Sequence, residues 1–390
     1  DQVQNGTETN LQPITDAVSN FYGSECSFSV SNLESYANCP FQFFVKGIAK
    51  CREREEWGME ADKLGTFMHL ALRLFHEKVI KSGEEKSWRS QLEDSLGTRE
   101  LVHECVKEAA QEVFNQRDDS SFTDFGGASE MLNVEKKVNF FLNTMNVYFK
   151  TYQFDPAFAE LGFGKDLPLC WKMEVNEKDI YISGRIDRVD IHKTSNNIWV
   201  VVIDYKSGKK EFDNKNFYAG IQLQLISYIC ALRHGDIIKL IEKESHSEIN
   251  KSMEIGGAFY VRLKTPFLTN KEATKPFQHV GRFDKALLRG ESAYLDNLDS
   301  ENGASKQFQV STQSSDPGNK EQLWSLTDQT KEIIELLIEM ILKGEYSAKP
   351  ISCDFCMAKS VCGFDPRRLK YEMLKPLLLK SQKVREKARK

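Results

Sequence analysis

The 390-residue chain lacks any apolar run long enough to cross a bilayer, which argues against a membrane-spanning helix. It opens without a signal-like apolar leader, and its nine cysteines are an odd number, so a reducing, cytoplasmic setting is expected rather than a disulfide framework. No GXXXXGK[ST] phosphate loop occurs, so no ATP-driven motor is expected within the chain. No internal repeat is present either. A basic surplus is also missing: 53 Lys and Arg stand against 57 Asp and Glu, a formal net charge of -4. By composition alone the chain is not an obvious partner for a polyanion, although a local basic groove would suffice for one.

Chemistry concentrates in two segments, Ser183-Gly-Arg-Ile-Asp-Arg-Val-Asp190 and Trp199-Val-Val-Val-Ile-Asp204-Tyr-Lys206-Ser-Gly208. Both are β-branched runs bounded by turn residues (Gly184, Asn196-Asn197, Ser207-Gly208), so both are predicted strands. Pairing them as a hairpin brings Asp187 near Asp204. Asp204 and Lys206 are two apart in an extended segment and leave one face of the sheet, while Tyr205 points to the other. Two carboxylates hold a hard divalent cation through oxygen, as Mg2+ prefers. A lysine beside them can orient a nucleophile or stabilise a phosphoryl transition state. An isolated Asp-X-Lys is ordinarily a strand-end ion pair, so the surroundings carry the argument.

Those surroundings have their own signature. A helix is predicted over 218–232, in which Gln224 and Tyr228 are four apart and share a face. Upstream, Gly65-Thr-Phe-Met-His69 opens a helix running to about Val79, with His69 on the side of Leu72 and Arg73.

Gly65-Thr66 with His69, Gly184-Arg-Ile-Asp187, Asp204-Tyr-Lys206-Ser-Gly208 and Gln224 through Tyr228 occur in the order found in RecB-family nucleases of the PD-(D/E)XK superfamily, which the chain resembles over roughly Ser29 to Leu369. The resemblance implies that His69, Asp187 and Asp204 bind Mg2+ or Mn2+, with the Tyr205 carbonyl as an extra ligand. It further implies that Lys206 is catalytic and that Gln224 and Tyr228 support the site. The implied fold is a restriction-endonuclease-like mixed sheet flanked by helices. The acidic slot before the lysine holds Asp204 rather than Glu, which the family accepts.

The cysteines extend the resemblance. Cys353, Cys356 and Cys362 form a CX2CX5C group, and Cys39, followed by Pro40-Phe-Gln-Phe-Phe44, lies far upstream. Four thiolates hold either zinc or an iron-sulfur cluster, and spacing does not choose between them. One cysteine before a nuclease core and three after it resembles the [4Fe-4S] staple of AddB-type nuclease domains. That likeness implies a single-stranded DNA end as substrate, an AddA-type motor subunit as partner, and work on double-strand breaks in recombinational repair. The alternatives are a stand-alone RecB-like exonuclease of CRISPR or replication type, and a non-catalytic DNA-binding module.

The expected organisation is a loose segment over 1–24, a nuclease domain over 25–370 and a basic helix over 371–390. Within the domain, 80–155 is predicted as a helical insertion with helices near 99–117 and 130–152, and 295–320 as a solvated loop before a helix at 325–343 and the cysteine group at 353–362. Strands are predicted at 158–163, 168–175, 179–190, 197–206 and 257–263. Arg185, Arg188 and Lys209, close to the acids, are the candidate DNA contacts.

Overall fold

The computed structural model describes residues 18, 20–51, 61–81, 87–115, 125–150, 152–206, 208, 211–246, 248–263, 277–283, 320–353, 356–359 and 361–364. Most of the expected loose start, the loop after 294 and the basic tail lie outside the described residues, as does Lys209.

The chain begins with β1 (Glu25–Ser29), α1 (Val30–Asn38) and α2 (Pro40–Phe43), the last running into a π turn over Phe44–Ile48. Four helices follow: α3 (Ala61–Lys81), α4 (Trp88–Glu93), α5 (Ser95–Asn115) and α6 (Phe125–Tyr148). Then come β2 (Asp155–Phe163), β3 (Trp171–Val175), β4 (Lys178–Lys193) and β5 (Asn197–Lys206). The remainder is α7 (Asn214–Tyr218), α8 (Gln224–His234), α9 (Ile237–Ser245), β6 (Ser252–Arg262), β7 (His279–Phe283) and α10 (Lys320–Leu342). Ser29 starts α1 by accepting the Asn32 N–H at 3.2 Å, as short hydroxyl side chains do at helix N-termini.

The strands form one mixed seven-stranded sheet organised around β4. Its first half lies between β1, parallel, and β3, antiparallel; its second half lies between β2 and β5, both antiparallel. Beyond β5, the sheet continues through parallel β6 to antiparallel β7. A parallel β5–β6 pair requires a crossover, and α7 to α9 supply it.

Strand β5 is covered on both faces, which is why its centre, Val200 to Ile203, is an unbroken β-branched run. Val200 and Val202 enter one core with Leu225, Ile226 and Ile229 of α8 and Ile334 and Ile338 of α10. Val201, Ile203 and Tyr205 enter a second core with Phe67 and Phe75 of α3, Val106 of α5 and Phe141 of α6. This alternation sends Asp204 and Lys206 toward α8 and Tyr205 toward the α3–α6 lobe, as a period of two demands.

The helix predicted over 218–232 is broken in the structure. Gly220 has φ +79°, and a Cβ placed there would lie 3.1 Å from that of Ala37. The chain therefore turns tightly against α1, ends α7 at Tyr218 and starts α8 afresh at Gln224. Among the described residues, no helix is long and apolar enough to cross a membrane.

Candidate active site

The site forms where β4 and β5 part. Their ladder ends at the pair Arg188↔Ile203, one residue short of Asp187 and Asp204. Asp187 then reaches across the opening, its Oδ2 accepting the Tyr205 backbone N–H at 2.7 Å. Gly184 makes room on the same strand, because a side chain there would meet the Phe163 ring at 2.5 Å. His69, two turns into α3, places Nδ1 3.4 Å from Asp187 Oδ2.

A third ligand-type residue joins them. One ligand atom each from His69, Glu160 and Asp187 lie within 4.8 Å of one another. Glu160 was not singled out by the sequence reading. In β2, Ala159 pairs with Arg188 and Leu161 with Ile186, so Glu160 faces Asp187. It does so with φ +50°, a left-handed conformation in which a glutamate in a strand is strained. The available sequence signal was an acid inside the apolar run Phe158-Ala-Glu-Leu-Gly-Phe163.

The second half of the site lies on the α8 side. Asp204 is fully buried, and Lys206 Nζ lies 2.6 Å from its Oδ2. Lys206 also donates to Gln224 Oε1 at 3.0 Å. Gln224 Nε2 donates to the Tyr228 hydroxyl at 2.6 Å, and that hydroxyl donates to Asp204 Oδ1 at 3.3 Å. The ring Lys206, Gln224, Tyr228, Asp204 closes on itself and fixes the ammonium beside the acids. The structure thus brings the sequence-predicted residues into two adjoining groups, with Asp204 outside the tight cluster of His69, Glu160 and Asp187.

The electrostatics suit a cation. Burial, then the Asp204 and Glu160 charges, hold the Asp187 carboxyl well above the ordinary carboxylate range. Burial likewise raises Glu160, against the Arg185 and Arg73 charges. Burial and the Lys206 charge lower His69 to about 4, against a hydrogen bond with the Tyr205 backbone, so its imidazole is neutral near pH 7 with a lone pair to offer. Crowded carboxylates that resist ionisation together, beside a neutral imidazole, form an oxygen-rich donor set that a hard divalent ion fits.

Of the candidate DNA contacts, Arg185 is exposed at the rim, its Nε 3.7 Å from Glu160 Oε2. Arg188 is not a surface residue. It is 1% exposed and forms a forked ion pair with fully buried Asp190, Nε to Oδ1 and Nη2 to Oδ2 both at 2.8 Å. Its Nη1 donates to the Tyr205 hydroxyl at 2.8 Å, and its guanidinium lies against the Trp88 ring. In β4, Arg188 and Asp190 are two apart and share the face covered by the α3–α6 lobe, which takes Arg188 out of solvent.

The four cysteines of interest converge from opposite ends of the domain. Asn38 accepts the Ile351 N–H on its carbonyl at 2.7 Å, and its side chain both donates to the Ser352 carbonyl and accepts the Ser352 N–H. Cys39, the next residue, is thereby carried to the Cys353 loop. Burial pushes the Cys353 thiol upward, as do its neighbours Cys356, Cys39 and Cys362.

A long mixed sheet opened between two central strands, with buried acids and a lysine at the opening, defines a nuclease core of the restriction-endonuclease type. Residues 27–363 match the PD-(D/E)XK nuclease superfamily, and the chain belongs to it. Among its relatives are ATP-dependent helicase/deoxyribonuclease subunits of the AddB type. The one from Acetivibrio thermocellus is 27% identical over 91% of this chain and 31% of its own length. Those from Clostridium botulinum (strain Okra) and Thermoanaerobacter sp. (strain X514) are 29% and 28% identical over 92% and 95% of this chain, and 32% of their own length. The chain therefore spans about a third of these curated relatives.

Proposed function

We propose that the chain is the nuclease domain of an AddB-type subunit. It hydrolyses phosphodiester bonds of single-stranded DNA as an exonuclease during double-strand break processing and recombinational repair, beside an AddA-type motor subunit. The observation that carries this reading is the junction of β4 and β5, where Asp187 is held by the Tyr205 amide next to the closed ring of Asp204, Lys206, Gln224 and Tyr228. His69, Glu160, Asp187 and Asp204 would hold Mg2+ or Mn2+, with the Tyr205 carbonyl alongside. Such an ion, when bound, supplies Lewis-acid charge and lowers the pKa of its water.

The protein groups do the positioning. Lys206, presented by Gln224, orients the attacking oxygen and offsets charge on the scissile phosphate. Tyr228 keeps Asp204 fixed as that charge moves. Arg185 at the rim, with Lys209, contacts the DNA backbone, which spares a chain of net negative charge from needing a broad basic face.

Cys39, Cys353, Cys356 and Cys362 hold a [4Fe-4S] cluster that staples the two ends of the domain, supported by the Asn38 clip and by the nearness of Cys39, Cys356 and Cys362 to Cys353. The test is cleavage of a single-stranded oligonucleotide by anaerobically purified protein. Lys206→Ala or Asp204→Ala abolishes metal-dependent cleavage while the brown visible absorption persists. Undiminished cleavage refutes the active-site assignment, and stoichiometric zinc without iron refutes the cluster.

A further inference from the structure

Helix α8 carries Gln224 as its first residue, yet nothing on α8 itself closes its N-terminus. The residue before it, Leu223, offers no side-chain hydrogen bond to the open backbone donors. The cap comes from another element. Glu34, on α1, accepts the Leu223 N–H at 2.6 Å and the Gln224 N–H at 2.8 Å, both on Oε1. A carboxylate there satisfies two orphan donors and meets the positive end of the helix dipole.

The same helix is tied down at its far end. Tyr36 donates to the Glu345 carbonyl at 2.8 Å, Asn38 clips residues 351 and 352, and Cys39 follows directly. A nine-residue helix is a rod of about 13 Å, so Glu34 and Cys39 sit little more than one turn apart on a stiff element. Glu34 holds Gln224 by its backbone N–H, and the side-chain carboxamide of the same residue accepts from Lys206 Nζ and donates to Tyr228, which donates to Asp204.

We propose that Glu34 is a positioning residue for Lys206. By holding the first turn of α8, it aims the Gln224 side chain at the lysine. Because it rides on the helix that ends at Cys39, the placement of the lysine is referred to the cysteine group rather than to the sheet alone. The inference rests on the nuclease reading, since it assigns Glu34 a share in the turnover of the same site. It does not place Glu34 in contact with substrate or metal.

The experiment compares the intact protein with its Glu34→Ala, Glu34→Gln, Gln224→Ala and Glu34→Ala/Gln224→Ala variants on a single-stranded oligonucleotide, with bound iron or zinc measured in each. Glu34→Ala is expected to lower kcat about tenfold, the scale of one helix cap transmitted to the transition state, with KM and the metal content of the cysteine group unchanged. Glu34→Gln, whose amide oxygen still accepts both N–H groups, recovers most of the loss. The double variant turns over no more slowly than Gln224→Ala alone, because both changes break one chain of contacts. A merely structural role would lower the folded fraction and multiply the losses in the double variant. Multiplied losses, or a Glu34→Ala kcat equal to wild type in a protein that cleaves, overturn the inference and leave the nuclease reading standing. A wild-type protein that fails to cleave, even when saturated with Mg2+ or Mn2+, removes both.

Discussion

Replacing Arg188 by Met separates a buried ion pair from a DNA contact. Both partners are out of solvent, at 1% and 0% exposure, and are joined by two 2.8 Å contacts, with the Tyr152 hydroxyl donating to Asp190 at 3.1 Å. Methionine fills much of the volume but leaves the Asp190 carboxylate in the core with one hydroxyl for company. Stranding a buried charge in this way costs about 3–5 kcal/mol. At about 2.1 cal/mol/K per residue, unfolding a chain of 390 residues has an entropy of about 0.8 kcal/mol/K, so the loss is a Tm lower by about 4–6 °C. Arg188→Met/Asp190→Leu removes both charges and regains most of it. Differential scanning calorimetry measures the stability, and DNA binding titrated against salt measures the contact. An unchanged Tm in Arg188→Met, with weaker binding and a salt slope reduced by about one phosphate, refutes the buried-pair account and restores Arg188 to the groove.

Two further outcomes follow from the acid cluster. Glu160→Gln removes one anionic ligand while keeping its shape, and is expected to raise the Mg2+ or Mn2+ concentration for half-maximal cleavage at least about tenfold; an unchanged metal requirement would exclude Glu160 from the site. The Asp187 carboxyl is raised in the folded chain, so the protonated group favours folding below its unfolded value of about 3.9, and that advantage is lost as pH rises through the higher folded value. In EDTA, therefore, Asp187→Asn should gain Tm relative to wild type as pH increases from about 4 to about 8. Added Mn2+ should raise the wild-type Tm at the upper end and have a smaller effect on the variant. A Tm difference that stays flat with pH would mean that Asp187 is not electrostatically frustrated.

The acids of the hairpin and the lysine were readable because a strand has a period of two and β5 is apolar on both faces, which leaves Asp204 and Lys206 conspicuous at its end. Gln224 and Tyr228 were readable because four residues make one helical turn. What was hidden depends on partners remote in sequence. Glu160 matters because β2 pairs with β4 and sets it opposite Asp187, and its left-handed backbone has no local signature. Arg188 looked like a basic residue beside an acidic site, although its spacing of two from Asp190 in a strand was itself the sign of a same-face pair. Edge strands β1 and β7 lack the strict in-and-out alternation that marked the equally short β3. The break before α8 came from the close packing of Gly220 on Ala37, a tertiary contact overriding a continuous helical pattern.

The clip between Asn38 and Ser352 joins positions 314 residues apart in sequence. On the ribosome, at about 5–20 residues per second, Asn38 emerges some 15–60 seconds before its partner. For that interval α1, nine residues long and marginal as a helix by itself, has neither its clip nor its core partners on α10, while Cys39 and the later cysteines remain apart. Residues 351 and 352, which bond Asn38, are therefore made after every acid and the lysine of the candidate site, so a chain cut short before residue 351 carries those side chains yet lacks the clip. Translation order thus separates the synthesis of the candidate site's side chains from that of the clip that joins the two ends of the domain.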